Sequence, residues 1–93
     1  MEDKIINNRE MSRYELPIEG EDAAVAYYRI EDGRVVLHHT EVPSAYSGRG
    51  YGQRLAHAVF ELLKSEGKRV IAKCPFMASY AARHPEYLAM LDG

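Results

Sequence analysis

The sequence of 93 residues has one cysteine, Cys74, no tryptophan, and no apolar run near the roughly 20 residues that a membrane-spanning helix needs. A single cysteine cannot close an intrachain disulfide, so a reducing, cytoplasmic setting is expected. The opening "MEDKIINNRE" is polar and does not read as a signal peptide. Basic excess is also missing: 12 Lys and Arg stand against 14 Asp and Glu, a net charge of −2 that argues against a general nucleic-acid binder. The four histidines and Cys74 show no C-x-x-C or H-x-x-x-H spacing, so no metal site is expected. Without repeats or low-complexity segments, the chain reads as one α/β domain over residues 1–93.

What is present begins with strands. "MSRYELPI" (11–18) reads as a first strand interrupted by Pro17, and "AAVAYYRI" (23–30) as a second. "EDG" (31–33) supplies a tight turn with glycine where a positive φ is needed, and "RVVLHHTEV" (34–42) returns as the antiparallel partner. Strict alternation puts Val35, Leu37, His39 and Glu41 on one face and Val36, His38, Thr40 and Val42 on the other. Pro43 ends the ladder because it has no N–H to donate.

The period then becomes helical. Leu55, Val59 and Leu62 recur at i, i+4 and i+7, Ala56 and Leu63 widen the stripe, and Gly67 stops it. "RVIAKC" (69–74) is a short strand. A strand, a helix of about 15 residues and another strand make a βαβ unit with a parallel strand pair and a right-handed crossover. The tail reads as a helix from Pro75 to about Arg83, a break at His84-Pro85, and a last helical turn over 87–91.

Between strand and helix lies "SGRGYG", Ser47 to Gly52. It lacks the third glycine of a dinucleotide fingerprint and the Gly-Lys of a Walker loop. Taken alone it is either a tight turn or an anion cradle. Its context favours the cradle: unpaired N–H groups converge at a helix start, and Gly48, Gly50 and Gly52 let a pyrophosphate approach the backbone. Arg49 and Arg54 lie within a turn of it, with Lys73 expected nearby on the next strand.

"EVPSAYSGRGYGQRLAHAVFELL" resembles the acyl-CoA-binding segment of the GCN5-related N-acetyltransferases, whose signature is Arg/Gln-x-x-Gly-x-Gly/Ala. Ser47 takes the first place, where it departs from the pattern; Gly50 takes the fourth and Gly52 the sixth. With "HTEVP" (39–43), "CPF" (74–76), Tyr80 and "HPEY" (84–87), the chain is most similar to a short, single-domain subgroup. The resemblance implies a minimal fold of that family: antiparallel N-terminal strands, a βαβ unit whose parallel strands splay, and short C-terminal helices. It also implies that acetyl-CoA is the acyl donor, held by Val42, Ser47, Gly48, Arg49, Gly50, Tyr51, Gly52 and Arg54, with pantetheine in the splay. There is no room for the paired helices that shape the acceptor pocket of larger members. Transfer of acetyl to a primary amine of unknown identity is therefore one reading, and a CoA-binding module with little or no catalysis is the other.

Amine acylation needs a base for the ammonium and an acid for the departing thiolate. Glu41, at the end of the central strand, is the base candidate, with His39 as a helper two residues earlier. Cys74 precedes Pro75 and is placed as a helix N-cap, where the dipole favours thiolate; it is either an acyl-carrying nucleophile or a small buried residue. Tyr80 resembles the family tyrosine that protonates the thiolate. Expected partners are acetyl-CoA or CoA and an amine acceptor, with no nucleic acid and no membrane. A monomer or weak homodimer is expected, since a small sheet with an exposed edge can pair with another copy.

Overall fold

The computed structural model describes residues 3–93. Five strands form one sheet in sequence order: β1 (Ile6–Asn8), β2 (Arg13–Pro17), β3 (Ala23–Glu31), β4 (Arg34–Glu41) and β5 (Val70–Ala72). The first four are antiparallel and β4–β5 is parallel. Helix α1 (Tyr51–Ser65) makes the crossover, and α2 (Pro75–Ala82) and α3 (Pro85–Leu88) follow β5. The mixed α/β architecture expected from the sequence is therefore present. No helix among the described residues is long and apolar enough to cross a membrane.

The β3–β4 hairpin forms because Asp32 and Gly33 adopt φ of 51° and 76°, the two positive values that a tight turn between twisted strands requires. One strand was not foreseen. β1 has no hydrophobic alternation, and polar bonds hold it instead: the Tyr28 hydroxyl donates to Asn7 Oδ1 at 2.7 Å, and Asn8 Nδ2 donates to Glu15 Oε2 at 3.0 Å. The first expected strand is accordingly shorter, because Ser12 turns into the left-handed region at φ 52°.

Strict alternation in β4 also fails. Tyr27 pairs with His39 but Tyr28 pairs with Leu37, so His38 is an extra residue without a partner on β3. A bulge of this kind moves every later side chain to the other face. Val35 and Leu37 join the core against the helices, as do Ala24, Ala26 and Tyr28 of β3. Beyond the bulge it is Thr40, paired with Ala26, that points to the helix side, while His39 and Glu41 pair with Tyr27 and Val25 on the opposite face.

All three helices contribute to a core on one side of the sheet. From α1 come Leu55, Ala56, Val59, Phe60 and Leu63, all fully buried and at helical spacing. Gly67 stops α1 at φ 67°, its N–H donating to Lys64 O while Lys68 N–H reaches back to Leu63 O. The expected helical turn over 87–91 is corrected: α3 ends at Leu88, and the chain then runs parallel to β5. Val70 N–H donates to Met90 O, Asp92 N–H to Val70 O and Ala72 N–H to Gly93 O. These bonds satisfy the outer edge of β5, which outweighs one more helical turn in a four-residue helix.

Asp92 is clamped by Arg34 Nε at 2.7 Å and Arg69 Nη2 at 2.6 Å. Hydrogen bonds from Arg69 and then Arg34 lower its carboxyl from 3.8 to about 2. The stabilising contribution is complete above the unfolded value and is lost as pH falls through the folded one. The melting temperature of Asp92→Asn should therefore lie below that of the parent at neutral pH, and the gap should close as pH drops from about 4 to about 2. A gap constant over that range would show that the clamp is not electrostatic.

Candidate active site

Parallel pairing of β4 with β5 covers only Val35–Val70, Val36–Ile71 and Leu37–Ala72. The Leu37 carbonyl then accepts both Lys73 N–H and Cys74 N–H, each at 2.9 Å, and β5 is over. Among the described residues, positions 38–41 of β4 have no strand partner on that side, so the two strands part beyond Leu37.

At the far end of β4, Pro43 leads through a 3-10 turn (Ser44–Tyr46) to the glycine loop. The loop is tied down by Tyr46, whose hydroxyl donates to Asp22 Oδ2 at 3.0 Å and whose ring meets that of Tyr51 edge-on. Gly48 and Gly50 have φ of 76° and 81°, and no atom lies within 4 Å of where a Cβ would stand at either. Gly50 is the N-cap of α1, offers no side chain to cap it, and is followed by no acid in the first turn. Backbone N–H groups at the positive end of a 15-residue helix thus border open space, which suits a diphosphate. Among the described residues Arg49 has no carboxylate partner; its guanidinium lies 5.9 Å from the Tyr46 ring centre. The Ser47 hydroxyl turns inward to Ser44 O at 3.0 Å.

Three residues at or near this loop have partners that the sequence does not announce. A methyl group on Gly52 would sit 3.1 Å from Phe76 Cζ, so that glycine makes room for the ring of Phe76 on α2. Arg54 is held in an ion pair with Asp3, at 2.6 and 3.1 Å, and lies over the Tyr51 ring. Arg29 and, more weakly, Lys73 lower the Glu31 carboxyl, so the Lys73 charge is directed toward Glu31 at the β3–β4 turn.

The bulge divides the catalytic candidates between two sides. On the open face His39 Nε2 and Glu41 Oε2 are 3.0 Å apart and both side chains are more than half exposed, at 55% and 60%. Tyr27 stacks against His39, and Arg13 bonds both the Tyr27 hydroxyl and Glu15. On the helix side Cys74 caps α2 as expected and is buried. Its Sγ has one polar neighbour, Thr40 Oγ1 at 3.5 Å. Tyr80 is buried in a column of rings, 4.2 Å from His84 and 6.2 Å from Phe60, with Tyr87 at 6.0 Å. Burial raises its phenol above the ordinary value. Among the described residues its hydroxyl has no protein partner, yet it is not sealed from solvent. Thr40 and Phe76 escaped the sequence reading: without the bulge Thr40 points the wrong way, and nothing in "CPF" names Gly52 as its neighbour.

A family model for GCN5-related N-acetyltransferases matches residues 13–91. The chain belongs to that family. Curated relatives include "Protein NATD1" of mouse and of human, each 32% identical over 93 residues. These alignments take in 96% of this chain and 84% and 82% of the two relatives. The fold is shared with the solution structure of a GCN5-like protein from Staphylococcus aureus, at a TM-score of 0.70 and 23% identity, covering 97% of this chain and 88% of that one. Family membership thus supports an N-acetyltransferase-like domain.

Packing of Phe76 on Gly52 gives a test by double-mutant cycle. With Phe76 replaced by Ala, Gly52→Ala should gain about 0.5–1 kcal/mol of helix propensity in urea unfolding. With Phe76 in place that gain should vanish. Equal effects in the two backgrounds would show that the ring does not constrain the glycine.

Proposed function

We propose that this chain is an acetyl-CoA-dependent N-acetyltransferase acting on a primary amine. One observation carries the reading: the β4–β5 ladder stops at Leu37, beside a helix start whose bare N–H groups rise from a left-handed glycine loop. When bound, acetyl-CoA would supply the acetyl group as an activated thioester. Backbone N–H groups from Gly48 to Gly52 would hold its diphosphate, assisted by Arg49; Val42 and the free edge of β4 would line its pantetheine.

The division of side chains by the bulge suits the two proton transfers. Glu41 Oε2, oriented by His39 Nε2, takes the proton from an ammonium arriving on the open face. The Tyr80 hydroxyl, on the helix side, keeps its proton over the physiological range and can give it to a departing thiolate. Cys74 is not assigned a covalent role. Among the described residues no base stands within hydrogen-bond reach of the thiol, whose polar partner is the Thr40 hydroxyl; Glu41 and His39 lie across the sheet, which leaves the start of the eight-residue α2 as its one activating influence. In this reading the thiol fills the cleft wall.

Acetyl-CoA at 100 times its dissociation constant should stabilise the fold by about 2.7 kcal/mol, a melting shift on the order of 10 °C. No shift at millimolar ligand would sink the donor assignment. If the shift appears, thiol release across a panel of amines separates enzyme from binding module. Tyr80→Phe should lower kcat by about 10²-fold with donor affinity unchanged, whereas Cys74→Ala should keep turnover within a few-fold. Abolished turnover in Cys74→Ala with binding intact would restore the covalent route.

A further inference from the structure

On the open face, at the end of β4, lies a cavity of about 570 Å³ bordered by Arg13, Glu21, Asp22, Ala23, Val25, Thr40, Glu41, Val42 and Pro43. We propose that this cavity is the acceptor site and that it takes a linear aliphatic polyamine. The proposal rests on the acetyltransferase reading and deepens it.

Position is the first argument. Thr40 borders the cavity as a residue while its hydroxyl turns to Cys74 on the helix side, so the cavity and the β5 side of the sheet are separated by one strand. Glu41, the proposed base, forms the same rim. An amine in the cavity therefore reaches the β5 side across the single residue pair 40–41.

Shape and charge supply the class of acceptor. In a mostly polar lining, Ala23, Val25, Val42 and Pro43 give an apolar stretch suited to methylene groups. Carboxylates stand at separate places along it: Glu41 is opposite Val25, whereas Glu21 and Asp22 precede the start of β3. Asp22 accepts a hydrogen bond from the neutral Tyr46 hydroxyl, which leaves its charge uncompensated. Arg13 is the one cation on the rim, and it is already bonded to Glu15 and Tyr27. A monoamine would meet one group of carboxylates. A chain with two cationic nitrogens meets both and lays its methylenes on the apolar residues between, while a carboxylate-bearing acceptor is repelled.

The test uses the whole chain, with spermidine and butylamine as probes. In the ¹⁵N-labelled protein spermidine should shift the amides of Ala23, Val25, Glu41 and Val42. In the transfer assay its KM should lie about two- to fivefold below that of butylamine, as two exposed charge pairs outweigh one. Glu21→Lys should raise the KM for spermidine about 3- to 10-fold, and more than it raises that for butylamine, because it reverses one rim charge. Amide shifts elsewhere, equal KM values, or a Glu21→Lys variant with unaltered KM would each overturn the polyamine assignment. Acetyl-CoA binding by thermal shift is read in parallel. If it holds and spermidine fails, only the acceptor proposal falls; if acetyl-CoA does not bind, the enzyme reading falls and takes this proposal with it.

Discussion

The Leu37 carbonyl is the point on which the site turns. It accepts two backbone N–H groups, from Lys73 and Cys74, and with those two hydrogen bonds the sheet runs out on one side while β4 goes on. A β-strand whose neighbour stops has free donors and acceptors along one edge, and in a domain this small they need another partner. One residue later the bulge at His38 inverts the strand, so that the free stretch shows Thr40 to the helices and His39 and Glu41 to solvent. Ladder end and bulge together make a cleft with different chemistry on its two faces.

Rigidity around that cleft comes from packed rings. His84, Tyr80, Phe60 and Tyr87 form a stack that joins the three helices, and His57 adds an edge-on contact. The Tyr87 hydroxyl donates to Glu61 Oε2 and meets His57 Nδ1 at 3.1 Å, so its polar end is satisfied while its ring is buried. That hydrogen bond lowers the Glu61 carboxyl, and burial together with the same bond raises the Tyr87 phenol. Tyr80 differs from Tyr87 in the feature that matters here: its ring is as tightly held, but its hydroxyl is unspent.

Much of this was legible in the residues. The Asp-Gly turn, the apolar stripe of α1, Gly67 and the two X-Pro helix starts each announce their element through local chemistry that the fold respects. What stayed hidden depends on partners distant in sequence. β1 is held by Asn7 and Asn8 reaching Tyr28 and Glu15, which no periodicity records. The bulge leaves no mark in "VVLHHTEV", because both registers put an apolar residue inward up to Leu37. Residues 90–93 leave the helical path and run along β5 because that strand has an open edge, a fact that exists only after folding. In the site, the pattern of glycines was readable, but the partners of Gly52 and Arg54 were not.

Gly52 carries a consequence of its own. The signature that draws attention to it treats its bareness as an accommodation for phosphate, yet the atom nearest its absent side chain belongs to Phe76. The first turn of α1 and the first turn of α2 meet there, so the helix that offers N–H groups and the helix that carries Tyr80 touch at a contact with no side chain on one partner. A side chain at this position would press on Phe76 and would also stand within the donor cradle. Loss of activity on such a change has two origins, a shifted α2 or a lost ligand contact, and they separate when Phe76 is varied as well.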